Sequence, residues 1–468
     1  MFPSNFDYNN SMRIIDLNIK NFTNIENGQV NLGYITNLLH DKADIRGIYG
    51  QNGTGKTSII KAIKLIKNLI IGNPLQKDIA EYLMYEKKQF EIKMTFLLDT
   101  NNKKYLFEYS VQISKISFNP NTDNKDFWGI KNESLKFKDS DKNSPYFSKI
   151  KTLIESDFST KGVKPIYRNN EIENFFDSKF DYEYIQRSNI ENQKSFIFDS
   201  NLAEIIIKKC SKKSELRLIP IIKNLSLSNI HIIDSNSMAL SSANILLPLN
   251  FNIKNNNHNY RGVLPISIAK PQPIPLEIID IVDAVLNETN KVLKQIIPGL
   301  SICTKKLQAI IDDKGKEKTP IELLSCRKNI KIPIRYESDG IKKIISVLNL
   351  IINMYNNRSM IILIDELDAG IFEYLLGEIL LILEENGKGQ LIFTSHNLRP
   401  LEILKRDSLI FTTTNPTNRY IKIKNIRPNN NIRDVYYRGI VLDGQDEIIY
   451  EKTDSALIKR SLRKAKSI

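Results

Sequence analysis

The sequence predicts an α/β fold with a mostly parallel central sheet, an N-terminal antiparallel β lobe and a largely helical insertion. Three observations carry this. First, Gly50-Gln51-Asn52-Gly53-Thr54-Gly55-Lys56-Thr57 fits the phosphate-cradling pattern G-x-x-x-x-G-K-[ST]. It lies between a short β-like run, residues 43–49, and a segment whose Ile59, Ile60, Ile63, Ile66, Leu69 and Ile70 fall at helical spacing. Second, Ser359-Met360-Ile361-Ile362-Leu363-Ile364-Asp365-Glu366 is a continuous apolar run closing on two acids, as a central parallel strand does. Third, residues 12–20, 91–98 and 104–113 alternate apolar and polar, the pattern of half-buried strands.

The glycine-rich stretch has a direct chemical reading. Gly50, Gly53 and Gly55 let the backbone bend until its N–H groups point at a polyphosphate, and the following helix N-terminus adds partial positive charge. Gly50, Gln51, Asn52, Gly53, Thr54, Gly55, Lys56, Thr57 and Ser58 are therefore candidate ATP-binding residues. Lys56 is expected to reach the β- and γ-phosphates, and the Thr57 hydroxyl to hold Mg2+. Asp365 is expected to hold the same Mg2+, and Glu366 to orient and deprotonate the attacking water.

Composition narrows the class. A chain of 468 residues suggests two to four structural units. No apolar run approaches the roughly 18 residues of a membrane span, and the N-terminus lacks a basic stretch followed by an apolar one. Cys210, Cys303 and Cys326 are too far apart in sequence for a metal motif. A cytoplasmic, reduced location without membrane contact is expected. The net charge of +14 has two readings that stay open: contact with DNA or another polyanion, or drift in a proteome rich in Lys, Asn and Ile.

Taken in order, residues 12–20 lead into Asn21-Phe22-Thr23-Asn24-Ile25 and a second short strand at 28–32. Residues 91–98 and 104–113 flank Asp99-Thr100-Asn101-Asn102-Lys103 as a hairpin. Between about 117 and 226, Asn, Lys, Ser and Asp crowd around scattered aromatics, with helical patches expected at 146–156 and 200–210. These aromatics read as a satellite core, with stacking on a single nucleic-acid strand as the alternative. A buried strand is expected at 230–233, a loop at 255–259, an amphipathic helix at 276–297 and a hairpin turn at Asp312-Asp313-Lys314-Gly315. Expected boundaries are 1–116 for the first part of the phosphate-binding head, 117–260 for the insertion, 261–430 for the second part and 431–468 for a closing segment.

Two further motifs distinguish among nucleotide-binding classes. Glu337-Ser338-Asp339-Gly340-Ile341-Lys342-Lys343, one helix ahead of the Asp365 strand, resembles the ABC signature Leu-Ser-Gly-Gly-Gln. Ser338 and Gly340 match, whereas Glu337, Asp339 and Ile341 depart from it. Gln390-Leu391-Ile392-Phe393-Thr394-Ser395-His396-Asn397 is a strand ending in a His, as in the ABC switch motif. The order of these motifs resembles that of ABC-type ATPase heads of the OLD, RecF and SMC kind, and most closely the AAA-ATPase-like ABC proteins of bacterial abortive-infection and anti-phage systems, PARIS-type and Septu-type subunits among them. The runs at 429–440 and 444–446 resemble that family's closing segment.

The resemblance implies an ABC-type P-loop head that hydrolyses ATP between two protomers. It implies that Phe22, Thr23 and Asn24 line the adenine, that His396 senses the γ-phosphate, and that Ser338 and Gly340 complete the site of the opposite protomer, which Asp368 also contacts. Implied partners are a second copy, as a homodimer or higher even-numbered oligomer, and a separate nuclease-like effector. About 70 residues follow His396, too few for a nuclease domain in this chain. The Q-loop glutamine has no pattern behind it; Gln89, Gln112 and Gln186 are candidates. Alternative readings are a RecF/SMC-like DNA-repair ATPase and an ATP-binding scaffold with little turnover.

Overall fold

The computed structural model describes residues 10–118, 125–142, 144, 146–157, 179–211, 214–235, 244–255, 258–313, 315–422, 431–442 and 447–465. Alternating apolar residues build its first layer. β1 (Ser11–Phe22) buries Met12, Ile14, Leu17 and Ile19, and pairs antiparallel with β2 (Ile25–Asn31). β3 (Asp44–Tyr49), buried along its whole length, leaves for a second sheet. β4 (Gln89–Asp99), β5 (Lys103–Phe118), β6 (Lys125–Asp141) and β7 (Lys151–Asp157) complete the first, in the order β2-β1-β4-β5-β6-β7. All its neighbours run antiparallel.

The antiparallel lobe is thus larger than expected. The 116/117 boundary falls inside β5, and residues 151–156 of the helix expected at 146–156 lie in β7. A bulge opposite Leu135 and Lys136 explains the misreading. Leu153 is the extra residue there, so Leu153 and Ile154 are buried in succession and the period of two is lost. Helices follow at Lys179–Glu191, Ser200–Lys209 and Leu218–Asn229, the second as anticipated.

β8 (Ile230–Ile233) then joins the sheet of β3. β9 (Leu246–Asn255) and β10 (His258–Ser267) form a hairpin in which Asn255 faces His258, so most of the loop expected at 255–259 is strand; 256 and 257 lie outside the described residues. β11 (Gln272–Ile274), β12 (Leu300–Lys306), β13 (Ile310–Ile311) and β15 (Ile330–Pro333) all pair with β14 (Glu317–Arg327). β16 (Ile361–Ile364), β17 (Gln390–Thr394), β18 (Leu409–Thr412) and β19 (Tyr420–Ile421) complete the central sheet in the order β19-β18-β3-β17-β16-β8. Only β19 runs antiparallel there.

Four helices dress these sheets: α1 (Lys56–Ile70), α2 (Leu276–Ile296), α3 (Asp339–Asn356) and α4 (Glu373–Asn386). Successive strand side chains point to opposite faces, so β16 divides its residues between two cores. Ile361 and Leu363 join Ile59, Ile63 and Ile66 of α1 and the apolar face of the first sheet. Ile362 and Ile364 join Val347, Leu350 and Met354 of α3 and Leu376, Leu380 and Leu383 of α4. α2 and α3 share a third core with β12 and β14. Arg13 of β1 donates to Asp44 of β3 at 2.5 Å, both fully buried, which fixes the first sheet against the second. Among the described residues no helix is long and apolar enough to cross a membrane.

Candidate functional site

β16, β17 and β3 are parallel neighbours, so their carboxyl ends lie along one edge. From that edge of β3 the loop 50–55 rises into α1. Gly53 and Gly55 have φ of 80° and 91°, in the left-handed region that side chains with a Cβ rarely adopt. A Cβ on Gly50 would stand 1.8 Å from Thr412 Oγ1. The loop is braced from β18 and β19: Thr54 Oγ1 lies 2.5 Å from Thr412 Oγ1, and Tyr420 Oη donates to Gly55 O at 2.8 Å.

Lys56 folds onto the loop's own backbone, donating to Gly50 O at 2.8 Å and Gln51 O at 3.0 Å. Burial pushes its ammonium below the ordinary lysine value, while Asp365, Glu366 and Asp368 pull the other way. Thr57 Oγ1 donates to Asp365 Oδ1 at 3.1 Å, joining the second residue of α1 to the residue that follows β16. Ser58 Oγ sits 2.8 Å from Thr23 Oγ1, and Asn24 Nδ2 donates to Gly53 O, so the β1–β2 turn lies against the loop. Asn52 and Gly53 at its tip are exposed.

Asp365 is buried and fully engaged. Its Oδ1 also accepts from Thr394 Oγ1 at 2.6 Å, and its Oδ2 from Ser235 Oγ at 3.2 Å. Glu366 is exposed and carries a φ of 51°. Its N–H donates to Thr394 Oγ1 at 2.7 Å, and its carbonyl accepts from Lys343 Nζ. His396, two residues past β17, is exposed. Asp368 Oδ2 accepts from the N–H groups of His396 at 3.2 Å and Asn397 at 3.1 Å.

Ser338 caps α3, its Oγ accepting from Ile341 N at 3.4 Å. A Cβ on Gly340 would come within 2.0 Å of Gly370 O, so the start of α3 packs directly on the turn after β16. The departure at Glu337 is structural. Arg327 holds its carboxylate below the usual range, and Ser325 Oγ donates to it at 2.6 Å.

Phe22 is a correction. Its ring is fully buried among Tyr82 and Phe90, with centroids 5.3 Å from each, so it belongs to the core and cannot line a base. The left-handed Asn21 and Thr23 on either side turn it inward. Gln89 and Gln112 lie on β4 and β5 of the antiparallel lobe, and the Gln186 side chain and residues 444–446 lie outside the described residues.

Thr394, Lys343 and Ser235 escaped sequence reasoning, as did the contact of Gln51 with Glu451. The signal for Lys343 was present. Lys342 and Lys343 are adjacent charges in the first turns of α3, just ahead of the apolar Ile344 and Ile345, and both are buried.

The donor set suits Mg2+, a hard cation that takes a few protein oxygens and completes its shell with water and substrate phosphate. Thr57 and Asp365 supply a hydroxyl and a carboxylate side by side. Among the described residues no cluster of three or more His, Cys, Asp or Glu offers a metal an alternative.

The profile of the AAA ATPase domain matches residues 12–399. No curated protein matches the chain. Among solved structures, an Smc head bound to the C-terminal winged-helix domain of ScpA is 12% identical, covering 88% of this chain and 98% of its own, with a TM-score of 0.40. The SMC head domain from Thermotoga maritima is 13% identical, covering 88% and 100%, with a TM-score of 0.35. The recombination mediator protein RecF of the RecFOR pathway, with ATPrS, is 12% identical, covering 85% and 97%, with a TM-score of 0.34.

Proposed function

The chain belongs to the AAA ATPase domain family, and on that premise we propose that it is an ABC-type ATPase that hydrolyses Mg-ATP between two copies of its head. One observation carries the reading: Thr57 of the phosphate loop and Thr394 at the end of β17 both donate to Asp365 Oδ1, at 3.1 and 2.6 Å. A loop built only to brace a fold has no need of a buried carboxylate drawn to its first helical hydroxyl.

On this reading, the loop N–H groups and Lys56 bind the triphosphate, with Lys56 leaving the Gly50 and Gln51 carbonyls to do so. Thr57 and Asp365 would hold Mg2+, which would supply charge neutralisation at the phosphates. Glu366 orients a water and takes its proton on the carboxylate, and His396 reports the presence of the γ-phosphate. A second copy presents Ser338 and Gly340 at the N-terminus of its α3, where the helix dipole favours an anion. Two nucleotides then hold two heads together, and hydrolysis releases them. The motif order and long insertion favour control of a separate effector in anti-phage defence.

The test uses purified protein. Ser338→Arg is expected to bind ATP as the wild type does, yet to lose turnover and nucleotide-dependent dimerisation. Normal hydrolysis by this variant would sink the two-copy site. A DNA-repair role, favoured by the net charge of +14, instead requires DNA-stimulated hydrolysis whose DNA affinity falls steeply with salt.

A further inference from the structure

Glu366 is the one residue at the carboxyl edge of β16 whose backbone conformation needs outside support. Its φ of 51° lies in the left-handed region, which residues with a Cβ occupy only where their surroundings over-determine it. Its neighbours Asp365 and Leu367 are buried, whereas Glu366 is exposed, so this conformation turns one side chain outward between two that point in.

Both ends of the residue are held by side chains from other elements. At the amide, Glu366 N–H donates to Thr394 Oγ1 at 2.7 Å. That commits the hydroxyl hydrogen elsewhere, and it is donated to Asp365 Oδ1 at 2.6 Å. One buried hydroxyl on β17 thereby sets the amide of Glu366 and the carboxylate of Asp365 together. At the carbonyl, Glu366 O accepts from Lys343 Nζ and, at 3.1 Å, from Ala369 N. Lys343 projects from α3, five residues after the Ser338 cap. Although burial lowers the pKa of its ammonium, Asp368, Glu366 and Asp365 favour the charged form that makes this contact.

We propose that Thr394 and Lys343 are positioning residues for Glu366, gripping the amide and the carbonyl of this left-handed residue so that its carboxylate is presented to the attacking water. This rests on the reading of Glu366 as the group that activates water. Thr394 ties that residue to the strand that leads to His396, and Lys343 ties it to the helix that Ser338 caps. A shift of either element reaches the base through one hydrogen bond.

The experiment compares ATP turnover and nucleotide affinity in the full-length wild type, Thr394→Val, Thr394→Ser and Lys343→Met. Removal of an outer-shell partner costs about 10–100-fold in activity. Thr394→Val is expected to lose that much kcat while KM for ATP stays within about twofold, and Thr394→Ser, which keeps the hydroxyl, to restore the rate. In a Glu366→Gln background, Lys343→Met, whose ammonium contacts the Glu366 carbonyl, is expected to change the residual rate no further, and Thr394→Val to keep only the part of its loss that acts through Asp365. Should Thr394→Val fail to fold, Lys343→Met carries the same test, with the same split between kcat and KM. An unchanged kcat in Thr394→Val, a Thr394→Ser as slow as the Val variant, or an undiminished loss in the Glu366→Gln background overturns the proposal while leaving the ATPase reading intact. A wild type without turnover overturns both.

Discussion

Gln51, in the phosphate loop, and Glu451, 400 residues later, exchange two hydrogen bonds: Glu451 N–H donates to Gln51 Oε1 at 2.9 Å, and Gln51 Nε2 donates to Glu451 O at 3.3 Å. The closing segment is anchored close by. Ile449 is buried in the second core, and Ile448 O accepts from Thr414 N at 2.9 Å. A side chain of the loop that is expected to grip phosphate therefore also holds the backbone leading to the basic helix Ser455–Ala465.

Gln51→Ala removes both bonds and leaves the Ile449 anchor in place. The two bonds together are worth about 1–3 kcal/mol, so amide exchange at Glu451 is expected to speed by about 5- to 150-fold. Mg-ATP is expected to alter exchange at 447–451 in the wild type and to have less effect in the variant. Identical exchange in both proteins, with and without nucleotide, counts against a link between the loop and the closing segment.

Phe22→Ala separates core from pocket. The ring is fully buried between Tyr82 and Phe90, so its loss is expected to cost about 3–5 kcal/mol of unfolding free energy. At temperatures where the variant remains folded, its ATP affinity is expected to match the wild type. A selective loss of affinity with unchanged stability, measured by denaturant titration and nucleotide binding, would restore the ring to the base site.

The phosphate loop and the strand ending at Asp365 were legible because their local chemistry demands their spelling. Three glycines ahead of Lys56 and four apolar residues ahead of two acids leave few other structures open. β7 was illegible because its bulge buries Leu153 beside Ile154 and erases the alternation. Phe22 was misplaced because a motif ending in Asn-Phe does not say which way the ring turns; the left-handed residues beside it decide that. Thr394 and Gln51 act through backbone groups of distant residues, and no residue type at the far end records such a contact.

Gly340→Ala tests the packing of the α3 N-terminus. The new methyl group would lie 2.0 Å from the carbonyl oxygen of Gly370, a backbone atom that cannot rotate away. Overpacking of this kind costs about 1–3 kcal/mol, and relief must come from shifting the start of α3 or the turn after β16. Turnover is expected to collapse while ATP binding by the isolated chain survives, because Lys56 and Thr57 lie on a different element. Loss of binding in parallel with turnover would place Gly340 within the binding loop's own support.

Lys67 predicts a pH dependence of stability whose sign is fixed by its surroundings. It lies on α1 and donates to Ile230 O at 2.6 Å; burial first, and then repulsion from Lys64, lower its pKa to about 8. The unfolded chain releases this proton at the ordinary lysine value of about 10.4. Below about pH 8 the ammonium is charged in both states, and the fold bears the full cost of burying it. Between that pH and the unfolded value the unfolded state binds more protons, so stability gains from rising pH. Relative to Lys67→Met, the wild type is therefore expected to be destabilised at pH 7 and to recover progressively as pH rises from about 8 towards 10. Denaturant midpoints of the two proteins across that range check the sign. A gap that stays constant, or widens with pH, would mean that Lys67 keeps its proton in the folded chain.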